Sequence, residues 1–426
     1  MGHMPERLYY AEPFLTSFTS RVSGIRELSR SQRQTLWQIA LERTAFYPSS
    51  GGQPYDTGSL RATAPSGATL DAPVLAVEED ETGEIWHNTS KPLLEGTPVH
   101  GEIDWGRRRD HMQQHSGQHL LSAVFYRETG APTISFHLGP TASTIDLAID
   151  ALSPEAFERV ENAVNERIAE DRPVRVRTVS RSEAGMLLAS GDLRKLPERP
   201  GAIRLIEIEG VDLNACGGTH VRSTGQIGCL LLRGAERVSK GLRVEFVCGL
   251  RAAHASRQDF LSLGRAAQAL SASRPEVPAA VDRLLAENKA SHKQLQRLGE
   301  ELVDYQAARF AVEEPIENRL RLVRREFADR DAEYIKLLAS RLTALLPQTC
   351  VLLASTAQEP ARIVVASSPD LDIDCGAALR GALAPFGARG GGSPRMAQGQ
   401  IEGKNLDALF SGLADTLRAA QTPDLP

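Results

Sequence analysis

Cysteine is scarce in this sequence. The five cysteines stand singly at positions 216, 229, 248, 350 and 375 of a 426-residue chain. An odd number of isolated cysteines fits a reducing compartment better than a disulfide framework. Long apolar runs are also missing, because no stretch approaches the roughly 20 residues of a membrane span, and no signal peptide opens the chain. We therefore expect a cytoplasmic protein without a membrane segment.

A surplus of positive charge is absent as well. The formal net charge is -5, with 49 Lys and Arg against 54 Asp and Glu. A nucleic-acid ligand would therefore depend on local clusters of basic residues. One cluster is residues 107–109, and the other contains Arg233, Arg237, Lys240 and Arg243. From these clusters we predict contacts to a phosphate backbone by Arg107, Arg108, Arg109, Lys240 and Arg243.

Two pairs of potential metal ligands are present, each with three residues between its members. His115 and His119 lie in HSGQHLL, and Cys216 and His220 lie in CGGTH. On a helix, residues i and i+4 share one face, so the two imidazoles can converge on one ion. A thiolate and a third imidazole complete the mixed nitrogen and sulfur set that tetrahedral zinc accepts. His111 lies one turn upstream and could replace either histidine of the first pair.

The chemistry of such a zinc site is only partly determined by these residues. Gly217 and Gly218 let the chain turn tightly between Cys216 and His220. Four protein ligands close a tetrahedron, so either the shell expands, one ligand is displaced, or zinc positions substrate while a separate water attacks. No glutamate follows His115 as in metalloprotease helices, so the general base is unknown.

Several motifs resemble one family throughout the chain. HSGQHLL and ACGGTHV resemble the zinc-binding editing domain of alanyl-tRNA synthetases and of the free-standing AlaX proteins. Residues 44–60 are similar to the glycine-rich segment of the preceding β-rich module, and residues 237–249 to the strand that closes the editing domain. Residues 381–400 resemble the glycine-rich motif of the C-terminal domain shared with DHH phosphoesterases. The chain is identified as a long-form AlaX protein.

The resemblance implies trans-editing, the zinc-dependent hydrolysis of seryl-tRNA(Ala) and, as a second substrate, glycyl-tRNA(Ala), at the tRNA acceptor end. Nucleotide and ATP binding are implied by family alone. Met1–His3 are interpreted as an expression remnant. The editing module then begins at once, so we expect no aminoacylation. Asp110 and His111 are followed by methionine, which excludes a phosphoesterase. A zinc-stabilised tRNA-binding protein without hydrolase activity, and an editor of another aminoacyl-tRNA, stay open.

The same resemblance suggests residues for the substrate pocket. Gln118 stands where the synthetases commonly have threonine before the second histidine, which changes the donors offered to a substrate hydroxyl. Gly51, Gly52 and Gln53 are expected to approach from the first domain. The complete predicted pocket is Gly51, Gly52, Gln53, Gln118, Thr133, Ser135, His137, Gly217 and Gly218.

The predicted architecture is an α+β multidomain protein. Residues 4–105 suggest a β-barrel, because short apolar segments alternate with turn residues. Residues 106–250 form the editing domain, with a helix from His111, a helix from Pro154 to about Asp171 capped by Ser153, and strands that complete one sheet. The length, with 41% hydrophobic residues, suffices for two to four domains.

The remaining chain is predicted as a helical linker and an α/β domain. In residues 251–312, apolar residues at coiled-coil spacing between Val277 and Tyr305 favour either a coiled coil with a second copy or a hairpin with the helix around residues 260–270. In residues 313–426, the loop 390–392 is flanked by Arg389 and Arg395, which we predict to bind tRNA. The family associates this domain with tRNA binding or dimerisation.

Overall fold

The computed structural model of this chain describes residues 4–30, 35–64, 66–191, 193, 195–197, 201–317 and 319–420. The predicted expression remnant, Met1–His3, lies outside these residues. The chain forms two compact units, Met1–Arg265 and Ala266–Pro426. In the part that is described, no helix has an apolar stretch long enough to cross a bilayer.

The first unit opens with a closed antiparallel barrel of six strands. Its elements are β1 (Glu6–Arg7), α1 (Leu8–Ala11), β2 (Ser17–Arg30), β3 (Thr35–Leu41), β4 (Arg43–Thr44), β5 (Gly58–Thr63), β6 (Thr69–Glu79), β7 (Ile85–Thr89) and β8 (Pro98–Ile103). The barrel order is β2-β3-β7-β6-β5-β8, and β1 pairs with β4 outside it. In β8, Val99, Gly101 and Ile103 alternate inward. The predicted barrel is confirmed.

The rest of this unit mixes helices and strands. Its elements are α2 (Trp105–Thr129), β9 (Thr133–Leu138), β10 (Ser143–Leu147), α3 (Pro154–Ala169), β11 (Val174–Val179), α4 (Arg181–Ala189), β12 (Ile203–Ile208), β13 (Asp212–Ala215), β14 (Leu230–Val238) and β15 (Gly241–Cys248). The strands form two sheets, β14-β15-β10-β9 and β11-β12-β13, so the prediction of one sheet was wrong. Helix α3 begins after the predicted cap Ser153, whose side chain accepts a hydrogen bond from Ala156 N.

Helix α2 is the central element of this mixed region. It begins at Trp105, six residues before the predicted start, because the Asp104 side chain caps it by accepting a hydrogen bond from Arg107 N. It ends before Gly130, which has a left-handed backbone with φ of 72°. Every residue from 111 to 125 is buried. A helix enclosed on all sides can hold polar side chains in fixed positions away from bulk water.

The second unit contains a long helix and an α/β sandwich. Helix α5 (Leu250–Ala269) runs across the boundary between the units, and α6 (Val277–Glu313), β16 (Arg321–Phe327), α7 (Ala332–Leu345), β17 (Thr349–Ser355), β18 (Ala361–Ser367), α8 (Cys375–Leu383), β19 (Gly390–Gly392), β20 (Met396–Ile401) and α9 (Leu406–Ala419) follow. The sheet order is β16-β17-β18-β20-β19. The end of α6 packs with α7 in one core, and α8 packs with α9 in another. The predicted alternation of strand and helix is observed.

The glycine tract at residues 390–392 is a strand and not the predicted loop. It pairs antiparallel with β20 at the edge of the sheet. A Cβ on Gly392 would lie 2.3 Å from the carbonyl oxygen of Met396, and one on Gly390 would lie 2.6 Å from Leu383 Cδ1. Glycine is needed here because the neighbouring backbone and helix α8 approach so closely.

His87, inside the barrel, makes folding of the first unit depend on pH. Its Nε2 lies 2.8 Å from Thr44 Oγ1 and its Nδ1 lies 2.9 Å from the carbonyl oxygen of Ile39. Complete burial lowers the pKa of His87 from 6.5 to about 4. The unfolded chain therefore binds the extra proton first as the pH falls. Stability from this residue is fully present above pH 6.5 and is lost between pH 6.5 and 4.

We expect His87→Gln to reduce the pH dependence of stability. The buried neutral imidazole accounts for a loss on the order of 3 kcal/mol between pH 7 and 4. Urea unfolding followed by tryptophan fluorescence at several pH values measures the difference, because Trp37, Trp86 and Trp105 all belong to the first unit. Other buried histidines are common to both proteins. Equal slopes of unfolding free energy against pH in the two proteins would contradict the assignment.

Candidate metal centre

Four side chains predicted as metal ligands come together in the first unit. The donor atoms of His115, His119, Cys216 and His220 lie within 4.8 Å of one another. The first two residues come from α2, and the other two from the turn after β13. His115 Nε2 and His220 Nε2 each lie 3.4 Å from Cys216 Sγ. In tetrahedral zinc, with bonds of about 2.3 Å to sulfur and 2.0 Å to nitrogen, these atoms are about 3.5 Å apart. The donor set and its spacing fit zinc.

The hydrogen bond to Gln53 determines which nitrogen of His115 faces the cluster. Gln53 Oε1 accepts from Thr219 N at 3.0 Å, and Gln53 Nε2 donates to Thr219 Oγ1 at 2.8 Å. The amide orientation is thereby fixed, so the 2.9 Å contact between Oε1 and His115 Nδ1 requires a proton on Nδ1. His115 Nε2 then carries its lone pair toward Cys216, as a zinc ligand must.

The other two histidines have polar groups near their Nδ1 atoms, at different distances. His220 Nδ1 lies 3.1 Å from Ser116 Oγ, which also accepts a hydrogen bond from Val221 N at 3.1 Å. His119 Nδ1 lies 3.8 Å from a carboxylate oxygen of Asp212. His220, like His115, is therefore held through Nδ1, which leaves its Nε2 facing Cys216, whereas the Asp212 carboxylate lies beyond hydrogen-bond distance of His119 Nδ1.

The turn between Cys216 and His220 requires glycine at one position. A Cβ on Gly218 would lie 2.2 Å from His115 Cε1, whereas one on Gly217 would make only an ordinary 3.7 Å contact with Tyr10. Arg204 Nη1 donates to the carbonyl oxygens of Cys216 and Gly218, at 2.8 and 2.9 Å. The turn is thus clamped by an arginine that the sequence did not reveal.

The protonation states suit metal binding. Burial lowers the pKa of both His115 and His220 well below 6.5, and neighbouring imidazoles lower it further. Both rings are therefore neutral at physiological pH. Burial raises the pKa of Cys216, while the N–H of Gly218 and the guanidinium of Arg204 act in the opposite direction. A bound cation would favour the thiolate.

His111 is not part of the cluster that the described residues form. The alternative in which it replaces His115 or His119 is therefore wrong. It is buried, and burial lowers its pKa to about 4. It lies one turn before His115, on the side of Asp56 and Arg107, whose charges act on it.

Comparison with known proteins identifies the family. Residues 203–244 match the model "Threonyl and Alanyl tRNA synthetase second additional domain". Alanine–tRNA ligase of Natronomonas pharaonis is 30% identical over 425 residues, 96% of this chain and 43% of the ligase. Alanyl-tRNA editing protein AlaX-M of Methanosarcina mazei is 36% identical over 237 residues, 53% of this chain and 88% of that protein. The chain belongs to the AlaX-type alanyl-tRNA editing proteins. It spans less than half the length of the ligases that it matches, such as 31% of the Pyrococcus furiosus enzyme.

In this AlaX-type chain a polar row runs along α2 beside the cluster. Gln118 Nε2 donates to Ser122 Oγ at 2.9 Å, and Thr133 Oγ1 donates to the same oxygen at 2.8 Å. Gln118 is 5% exposed, and its Oε1 has no hydrogen-bond partner among the described residues. A buried acceptor without a partner is costly, so it is a position where a substrate donor would be stabilised.

The other residues predicted for the pocket have different surroundings. Ser135 and His137 are exposed, and Ser135 donates to Asp146 at 2.8 Å. Phe136, which was not predicted, packs against His115 with ring centroids 5.8 Å apart. A Cβ on Gly52 would lie 2.5 Å from the Phe136 ring. Gly52, with φ of 80°, therefore allows the glycine-rich loop to approach this ring.

The basic residues that were predicted to contact tRNA differ in their exposure to solvent. Arg108 is completely buried and paired with Asp56, so the prediction that it contacts tRNA was wrong. A guanidinium enclosed with its own carboxylate cannot reach a phosphate. Arg109 is exposed, and Arg107 lies with its Nε 2.9 Å from the carbonyl oxygen of Tyr55.

The remaining basic residues are distributed over both units. Lys240 and Arg389 are exposed. Arg243 pairs with Asp146 at 2.8 Å. Arg395 donates to the carbonyl oxygens of Ser368 and Leu371 at 3.0 and 2.6 Å. Arg395 therefore has a structural role in the turn after β18.

Gln53→Ala is expected to weaken zinc binding by about 10- to 100-fold, the usual cost of losing an outer partner of a metal-binding histidine. Gln53→Glu keeps the acceptor for His115 Nδ1 and should retain most of the affinity. Competition with a chromophoric chelator measures both. Gln38→Ala is the matched control, because Gln38 is also buried but lies in the barrel, bonded to Asn88. Wild-type zinc affinity in Gln53→Ala would contradict the proposed orientation of His115.

Proposed function

We propose that this chain is a zinc-dependent hydrolase that removes serine, and secondarily glycine, from mischarged tRNA(Ala). The observation that carries the proposal is the cluster of three imidazoles and one thiol, in which His115 and His220 are held through Nδ1. Relatives named alanyl-tRNA editing proteins support this activity. Zinc at these donors would polarise the ester carbonyl and lower the pKa of a water molecule.

The side chains around the cluster suit selection of a serine ester. Serine differs from alanine by one hydroxyl, so a site that hydrogen-bonds this group can reject alanine strongly. Gln118 Oε1 offers a buried acceptor, and the amide is held by its bond to Ser122 Oγ, which in turn accepts from Thr133. The cost of leaving that acceptor without a partner is relieved when the serine hydroxyl enters, and is kept when alanine enters.

We expect Gln118→Leu to lower kcat/KM for seryl-tRNA(Ala) by about tenfold, the worth of one buried hydrogen bond. Hydrolysis of alanyl-tRNA(Ala) should change little, because alanine offers no donor to Oε1. Steady-state deacylation of both substrates measures the ratio. An equal loss for the two substrates would show that Gln118 acts on the fold or the metal and not on the hydroxyl.

Contacts to tRNA and the assembly of the chain form the remaining part of the proposal. We propose the acceptor end as the bound region, with Arg107, Arg109, Lys240, Arg243 and Arg389 contacting phosphates.

We also propose a homodimer through α6. Its apolar seam is exposed at Val281, Leu284, Leu295, Leu298, Leu302 and Tyr305, and a second copy would cover it in coiled-coil register. Light scattering of the full chain measures the mass.

The activity is tested with seryl-, glycyl- and alanyl-tRNA(Ala) and wild-type protein whose zinc content has been assayed. Rapid loss of serine with retention of alanine, abolished by chelation, supports the proposal. Tight tRNA binding with bound zinc and no turnover would replace it with a zinc-stabilised tRNA-binding protein. Turnover of seryl-tRNA(Thr) in preference would indicate an editor of another aminoacyl-tRNA.

A further inference from the structure

Two aromatic rings and two arginines form a small surface beside the start of α2. We call Phe14, Trp105, Arg109 and Arg222 the aromatic–arginine surface. The rings of Phe14 and Trp105 have centroids 5.6 Å apart at an angle of 50°. The Arg222 guanidinium lies 4.2 Å from the centroid of Phe14. With Arg109, the two rings line a cavity of about 220 Å³. Drug-sized ligands occupy roughly 300–1,000 Å³, so this cavity suits a single ring system.

This surface carries positive charge that is not neutralised by an ion pair among the described residues. Arg109 and Arg222 are both exposed, and among the described residues neither guanidinium forms an ion pair with a carboxylate. The acidic neighbour Asp104 is engaged in capping α2, since its carboxylate accepts from Arg107 N at 3.1 Å. A surface with unpaired guanidinium groups around aromatic rings is complementary to a base with its phosphate.

The same elements carry the aromatic–arginine surface and the metal cluster. Arg222 follows the ligand His220 by two residues, so their Cα atoms are separated by at most about 7 Å. Val221, between them, donates from its N–H to Ser116 Oγ, the atom that contacts His220 Nδ1. Trp105 is the first residue of α2, which carries His115. The surface therefore has a fixed position relative to the cluster.

We propose that the aromatic–arginine surface binds an unpaired nucleobase of the single-stranded acceptor end of tRNA. The identity of the RNA rests on the function proposed above. Bases of single-stranded RNA stack on aromatic rings and on guanidinium planes, while the phosphate is attracted by the charge of the same arginines. One base held here would orient the aminoacyl end next to the cluster, because both sites are built on α2 and on the turn that ends at Arg222.

Binding of two RNA hairpins tests this assignment. Both carry the acceptor stem of tRNA(Ala), and only one keeps the single-stranded 3′ end. Wild-type protein should prefer the hairpin with the overhang. Trp105→Leu and Arg222→Gln should each weaken its binding roughly tenfold, within the range for one stacked base, and leave the blunt hairpin unchanged. Arg61→Gln is the matched control, since Arg61 is an exposed barrel arginine paired with Asp71.

An independent probe avoids dependence on the folding of Trp105→Leu. A Trp37→Phe, Trp86→Phe protein retains Trp105 as its single tryptophan. Its fluorescence should be quenched by the hairpin with the overhang and not by the blunt one. Equal quenching by both, or equal losses of affinity for both in the variants, would overturn the assignment.

The experiments distinguish an error in the base-binding proposal from an error in the proposed activity, because hairpin binding requires no turnover. Deacylation without any preference for the overhang would overturn the base-binding proposal and support the proposed hydrolase activity. A preference for the overhang that depends on Trp105, without deacylation, would support the base-binding proposal and overturn the hydrolase activity.

Discussion

Cys216→Ala should weaken zinc binding and reduce kcat/KM for seryl-tRNA(Ala), each by more than about 100-fold, because losing only an outer partner of a ligand already costs up to about 100-fold. Its sulfur lies 3.4 Å from both His115 Nε2 and His220 Nε2. Removal takes away the only anionic donor of the cluster and leaves three neutral imidazoles, which bind zinc more weakly. Zinc analysis and single-turnover deacylation are measured on the same preparation.

Cys229→Ala is the matched control for this variant. Cys229 is an exposed free cysteine thirteen residues further along the chain, so the same substitution there should change neither zinc content nor deacylation. Thermal unfolding of both variants distinguishes loss of the site from loss of the fold. Retention of one zinc per chain and of full activity in Cys216→Ala would contradict the assignment of the cluster.

The second large effect concerns stability. Asp56→Asn or Arg108→Met should lower the free energy of unfolding of the first unit by about 3–5 kcal/mol, because each leaves an uncompensated charge in the interior. Both side chains are 0% exposed. Arg108 also donates to the carbonyl oxygen of Pro13 at 2.8 Å, and Tyr47 N donates to Asp56 at 2.6 Å. The pair therefore joins α2 to the segment before β2 and to the glycine-rich segment 44–60.

The double variant Asp56→Asn, Arg108→Met should lose less stability than the two single variants combined, since it removes both buried charges together. Urea unfolding measured by tryptophan fluorescence gives the four free energies of this cycle. Arg61→Met is the surface control, because its pair with Asp71 is half exposed and should give no measurable change. A single variant with wild-type stability would show that the pair is not a determinant of the fold.

Local spacing was sufficient to predict much of this molecule. The i, i+4 histidines and the CGGTH turn indicated all four donors, because a helix and a short glycine turn each constrain their own side chains. The barrel followed from alternating strands, and Ser153 capped α3 as expected. The start of α2 was missed by six residues because its cap, Asp104, lies outside the apolar pattern on which the prediction relied.

Contacts between residues distant in sequence could not be predicted from local spacing. Gln53 was predicted to line the pocket, but its amide bonds to His115 and to Thr219, which is 166 residues away. Phe136 packs against His115 although the neighbouring Ser135 and His137 were the predicted pocket residues. A strand alternates its side chains between two faces, and the sequence does not say which face meets the cluster.

The three adjacent arginines at 107–109 also show what local sequence cannot predict. On a helix, successive side chains point about 100° apart, so equal charges meet different surroundings. Arg108 enters the interior and pairs with Asp56, while Arg109 stays exposed beside Trp105. The sequence by itself determined the family, the barrel and the donor set, since these depend on local pattern. Only the tertiary structure decided which nitrogen of His115 faces Cys216 and which arginine stays exposed, because both depend on residues brought together by folding.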